Sequence, residues 1–120
     1  NALVLSINLG KTLLFDVLYT KKVFPNVNVC LLSNSNDIDN VLDSEFDFIF
    51  IEAENYELLK KIDIDLYINI ASMQEMELSV IKKYIKFMRN NNVQPNFYCC
   101  NRWPRNFRGA NNWSINIFLT

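Results

Sequence analysis

Hydrophobic and polar positions alternate along the chain between short apolar runs and longer periodic stretches. Ala2 to Ile7, Val27 to Leu32 and Phe46 to Ile51 are apolar or β-branched runs of strand length, each closed by polar or turn residues. Leu66 to Ala71 forms a fourth run, within a strand at 65–71, and reads as buried on both faces, as a parallel sheet requires. Asn96 to Cys100 is a fifth strand, and Trp113 to Leu119 a sixth. Between these runs the period lengthens. Lys11 to Val23 places Leu14, Val17, Leu18 and Lys21 on one helical stripe flanked by Leu13 and Phe24, and Pro25-Asn26 ends it. On that stripe Lys21 lays its stem along apolar surface and keeps its ammonium in water. Asp37 to Leu42 predicts a short helical turn, and Glu52 to Lys61 a helix with Tyr56, Leu58 and Leu59 inward. The best-defined helix runs to about Asn90. Val80, Ile81, Tyr84, Ile85 and Met88 share one stripe, with Lys82, Lys83, Lys86 and Arg89 elsewhere. Asn90-Asn-Asn92 and Pro95 break it.

Strand–helix alternation with apolar strands predicts an α/β fold: a Rossmann-like, mostly parallel sheet flanked by helices, in one domain spanning residues 1–120. Ligands of such sheets sit beyond the carboxyl ends of the strands. The fourth strand ends on Asn69, Ser72, Gln74 and Glu75, which would then stand at the rim of the binding crevice. Ser72-x-x-Glu75 ahead of an apolar run is also a capping box, a purely structural role.

Composition narrows the function classes. Half of the 120 residues are hydrophobic, enough for a core, and no apolar run approaches the length of a membrane span. Histidine is absent, which removes Ser–His–Asp and Cys–His catalysis and His-based metal sites, so no metal is expected. A general base must be a carboxylate, Lys, Tyr or Cys. The three cysteines, Cys30, Cys99 and Cys100, form no disulfide framework and point to a reducing compartment such as the cytoplasm, each as a small buried hydrophobe. The net charge of −1 conceals a polarity: all thirteen acidic residues lie at or before Glu77. Only cations follow, from Lys82 to Arg89 and then at Arg102, Arg105 and Arg108. A solvated helix face with a basic tail explains that run more simply than nucleic-acid binding, although Arg102 to Arg108 interleaves aromatics with arginines.

The segment Asp65 to Met76, the helix after it, and Phe97-Tyr-Cys-Cys-Asn-Arg102 resemble the sugar O-methyltransferase family, class I enzymes of bacterial polysaccharide loci that use S-adenosylmethionine. The resemblance rests on Asp65, Asn69, the Ser72-Met-Gln-Glu-Met76 block, Tyr98, Asn101 and Arg102. Asn8-Leu-Gly-Lys-Thr-Leu13 and Phe24-Pro25 are similar to the family's front half. The resemblance implies methyl transfer from S-adenosyl-L-methionine to a sugar or glycan hydroxyl, with no membrane partner. By that resemblance Asn8, Glu52, Ala53, Asn69 and Ser72 border the cofactor, and Gln74, Asn101 and Arg102 the acceptor. Glu75 is the candidate catalytic base.

The chain departs from the family pattern at two places. The glycine-rich loop that holds the cofactor's methionine end has no counterpart, since the two glycines are Gly10 and Gly109. Asn8 stands where the family's second strand ends in an acid. The expectation is therefore an incomplete class I fold, either a remnant or a piece of a longer product beginning at the family's second strand. The rival reading is a non-catalytic Rossmann-like module without cofactor.

Overall fold

A computed structural model describes residues 3–33, 37–42 and 44–100. The expected strand at Trp113–Leu119, the aromatic–arginine segment, Asn101 and Arg102 lie outside the described residues, as does most of the polar turn at 33–36. The described chain is a mixed α/β structure of small parallel sheets and helices, in two compact units divided after Ile64.

The first unit contains β1 (Val4–Asn8), α1 (Gly10–Val23), β2 (Val29–Leu32), α2 (Asp37–Leu42), β3 (Phe48–Glu52) and a nine-residue 3-10 segment, Ala53–Lys61. Its three strands are parallel in the order β1-β3-β2, so the last strand in sequence is the central one. Central position explains why Phe48-Ile-Phe-Ile51 is the most apolar run. Ile49 and Ile51 are fully buried and sit in register with Leu5 and Ile7 on one side and Cys30 and Leu32 on the other. On the opposite face Phe24, Phe48 and Phe50 stack in series, with ring centroids 6.2 and 6.1 Å apart. Leu13, Ile38, Val41, Leu59 and Ile62 complete the core.

The buried side of α1 is not the predicted one. Leu13 is buried, and Asp16, Val17 and Thr20 are half-buried, whereas Leu14 and Leu18 are each 59% exposed. The helix carries apolar residues almost all round, so periodicity alone could not select a face. Lys21 behaves as expected of an amphipathic side chain: its ammonium reaches past the helix end and donates to the Val27 carbonyl at 2.7 Å. Asn28 ties the next connection together, its N–H donating to Asp47 Oδ2 at 2.8 Å and its amide to the Glu45 carbonyl at 3.2 Å.

The second unit contains β4 (Leu66–Ile70), a 3-10 turn (Met73–Glu75), α3 (Leu78–Arg89) and β5 (Asn96–Cys100). β4 and β5 pair in parallel from Leu66↔Asn96 to Ile70↔Cys100. α3 buries Ile81, Phe87 and Met88, with Val80, Tyr84 and Ile85 half-buried. β4 is not buried on both faces. Tyr67 and Asn69 are half-buried, but Leu66, Ile68 and Ile70 are exposed, together with Tyr98 of β5. In this two-stranded sheet one face is sheltered and the other open, so an unbroken apolar run still behaves with period two. Cys99 and Cys100, expected as buried hydrophobes, are both exposed at the end of β5, Cys100 on the open face with Ile70 and Cys99 on the same face as Asn69, and Cys30 is half-buried. No helix among the described residues is long and apolar enough to cross a membrane.

Candidate functional site

Two groups of candidate residues form at carboxyl ends of strands, one in each unit. In the first unit the register pairs Asn8 with Glu52, so the last residues of β1 and β3 stand side by side, with Ala53 next in the chain. Asn8 is held on both ends of its amide. Its Nδ2 donates to Asp16 Oδ2 at 2.8 Å, and its Oδ1 accepts from the Leu9 N–H at 2.9 Å. An aspartate at position 8 would instead meet a like charge on Asp16. Glu52 aims its carboxylate at the start of α1, where a Cβ on Gly10 would overlap Oε1. A helix start is a favourable place for an anion, and glycine leaves room for it. The Asn8 amide thus bonds the Asp16 carboxylate of α1, while Glu52, its register partner on β3, turns its carboxylate toward Gly10.

In the second unit Asn69, Ser72, Gln74 and Glu75 are gathered by a single turn. Asn69 Nδ2 donates to Ser72 Oγ at 2.6 Å, and Asn69 Oδ1 accepts from the Met73 N–H at 3.2 Å. Gln74 Nε2 donates to Glu75 Oε1 at 3.3 Å. Between strand and turn, Ala71 has φ 58°, in the left-handed region that residues with a Cβ rarely occupy. Its N–H still donates to the Cys100 carbonyl at 2.8 Å, so the ladder holds Ala71 in that conformation. Met73 fills the underside of the turn, 8% exposed.

This arrangement replaces the expected capping box. Ser72 makes no side-chain cap bond, and the Glu75 backbone N–H bonds to the Ser72 carbonyl within a 3-10 turn. α3 starts only at Leu78, with Glu77 as its N-cap. Asn69, four residues ahead of Met73, takes the capping role because the left-handed step at Ala71 swings the turn back over the strand end. The half-buried amide in an apolar strand therefore has a structural purpose whatever else it touches.

Behind the turn, Tyr67 shares the sheltered face of β4 with Asn69. Its phenolic oxygen accepts from Asn91 Nδ2 at 3.3 Å, and Asn91 Oδ1 in turn accepts from the Val93 N–H at 3.3 Å. Desolvation by burial pushes the Tyr67 phenol above its ordinary value, with the Asn91 hydrogen bond pulling the other way. Sequence reasoning did not single out this Tyr–Asn pair. Asn91 lies in a run read only as a helix breaker.

No group of three or more His, Cys, Asp or Glu among the described residues is arranged to hold a metal ion. Compared with protein-family models, with curated proteins and with solved structures, the chain finds no match in any of the three.

Proposed function

We propose that this protein transfers a methyl group from S-adenosylmethionine to a sugar hydroxyl. The observation that carries the reading is the turn after β4, which collects Asn69, Ser72, Gln74 and Glu75 at the carboxyl end of a parallel strand. Such strand ends are where α/β sheets hold ligands. The other cluster offers carboxylates as acceptors for a ribose diol, Asp16 bonded to Asn8 and Glu52 beside Gly10. In this reading Asn8, Glu52 and Ala53 are the first unit's candidate cofactor contacts, and Asn69 and Ser72 are the second unit's, with Gln74, Asn101 and Arg102 as candidate acceptor contacts. S-adenosylmethionine would supply an electrophilic methyl group on a sulfonium, and Glu75 would accept the proton that the sugar hydroxyl gives up. Positioning for in-line displacement supplies most of the rate.

The test is calorimetry and thermal shift with S-adenosylhomocysteine. Saturable binding is expected, weakened about tenfold by Glu52→Gln, the loss of one charge-assisted bond. A flat titration with an unchanged melting curve rejects the proposal. It would favour the second reading, a non-catalytic α/β module. That reading draws on Asn8, whose amide is already satisfied by Asp16 and Leu9, and on Gly10, the one described glycine, whose open side is filled by Glu52.

A further inference from the structure

α3 carries its charge on one side only. Taking 100° per residue, Arg89, Lys82, Lys86 and Lys83 fall within about a third of the helix circumference, opposite Ile81 and Met88. All four are exposed. Lys82, Lys86 and Arg89 follow one another at about 6 and about 4.5 Å along the axis.

Two surface lysines outside α3 pair with acids, Lys60 with Glu57 and Lys61 with Asp39, each at 2.8 Å, while Lys11, Lys21 and Lys22 make no four-membered cluster, Lys21 standing beside a carbonyl. Among the described residues none of the four α3 cations has an ion-pair partner, and no acid follows Glu77 in the sequence. Helix-dipole complementarity accounts for Lys86 and Arg89, in the last turn, but not for Lys82 and Lys83. A solubilising face commonly mixes both signs, whereas the charged residues of α3 carry only one.

We propose that the basic face of α3 docks an anionic glycan, so that the acceptor sugar is carried on a chain bearing carboxylate or phosphate groups. The inference rests on the methyl-transfer reading for its choice of a sugar, and on the four unmatched cations for the charge. The face is short, about 10 Å from Lys82 to Arg89, which suits two or three charged sugars rather than a duplex footprint. The protein's net charge of −1 also disfavours long nucleic acids, which are held by broad positive surfaces. The helix follows directly on the turn that presents Gln74 and Glu75, so a glycan lying along it would have neighbouring sugars near those side chains.

The experiment titrates tetragalacturonate, maltotetraose and a dT20 oligonucleotide into the intact protein and into Lys82→Glu/Lys86→Glu. Tetragalacturonate is expected to bind, at least tenfold more weakly in 200 mM than in 50 mM salt, and at least tenfold more weakly in the double variant. Both substitutions lie on exposed helix positions, and circular dichroism verifies the fold. Lys82→Gln/Lys86→Gln, which removes charge without reversing it, should fall between. Equal binding of maltotetraose, tighter binding of dT20, or no tetragalacturonate binding each overturns the proposal. S-adenosylhomocysteine binding by the double variant should match that of the native protein. Glycan docking without cofactor binding would therefore sink the methyl-transfer reading while leaving the docking face intact.

Discussion

Removing the amide of Asn69 is the sharpest perturbation of the candidate site. Asn69→Ala deletes the bond from the Met73 N–H and the bond to Ser72 Oγ. The first is a capping interaction, worth about 1 kcal/mol when an Asn cap becomes Ala. The second joins a half-buried amide to an exposed hydroxyl and stands near the low end of the range for net hydrogen bonds, about 0.5 kcal/mol. The sum, about 1.5 kcal/mol, lowers the melting temperature by roughly 6 °C in a chain of 120 residues. It also speeds exchange of the Met73 amide about tenfold if that amide opens locally. Asn69→Asp separates cap from bulk. The carboxylate keeps an acceptor for Met73, the Ser72 hydroxyl turns round to donate, and a negative charge is welcome at the start of a helical turn. That variant should stay within about 0.5 kcal/mol of the native protein. Thermal melts followed by circular dichroism, with hydrogen exchange at Met73, supply the readout. An alanine variant as stable as the native protein, or an aspartate variant as damaged as the alanine one, refutes the capping argument.

Three further outcomes follow from the same structure. Asn8→Asp sets a carboxylate against Asp16 and should cost about 2 kcal/mol at neutral pH. The pair's upper folded pKa then lies above the unfolded value near 4, so the deficit in urea denaturation is full above it and closes as pH falls toward 4; adding Asp16→Asn should restore stability at pH 7. Tyr67 titrates later in the folded protein than when unfolded, so its contribution is intact below about pH 10 and lost as pH rises through the folded value. Absorbance titration at 295 nm should show a late component that Tyr67→Phe removes; a variant that keeps the native late component would contradict this. Ala71→Gly relieves the left-handed backbone and should stabilise by about 1 kcal/mol, whereas Ala71→Val should destabilise, both read from melting curves.

The parts of the fold legible in sequence were those whose local pattern had one solution. α2 and β5 lie on the expected bounds, Asp37–Leu42 and Asn96–Cys100, and the α3 stripe turns inward at Ile81 and Met88, joined by Phe87, with its four cations exposed. α1 defeated the same reasoning because Leu14, Phe15, Leu18 and Tyr19 make its outer face as apolar as its inner one. The apolar run of β4 concealed its alternation, since isoleucine and leucine occupy exposed positions that polar residues usually fill. At the site, sequence named Asn69, Ser72, Gln74 and Glu75 as neighbours but not who bonds to whom. The Ser72–Glu75 motif fitted a cap, and only the positive φ at Ala71 gives that role to Asn69. The pairing of Asn8 with Glu52 could not be read at all, because it depends on β3 entering between two strands made long before it.

That strand order constrains how the protein is born. β1 and β2 never touch as partners; each waits for β3 to supply its hydrogen bonds. On the ribosome, at about 5–20 residues per second, the first strand must remain unsatisfied for roughly 2–9 s before its mate emerges. During that interval two sticky ribbons are loose on one nascent chain, inviting chaperones or wrong pairings. A translational pause placed just after Glu52 clears the exit tunnel would shelter assembly, and one placed just before would prolong the hazard.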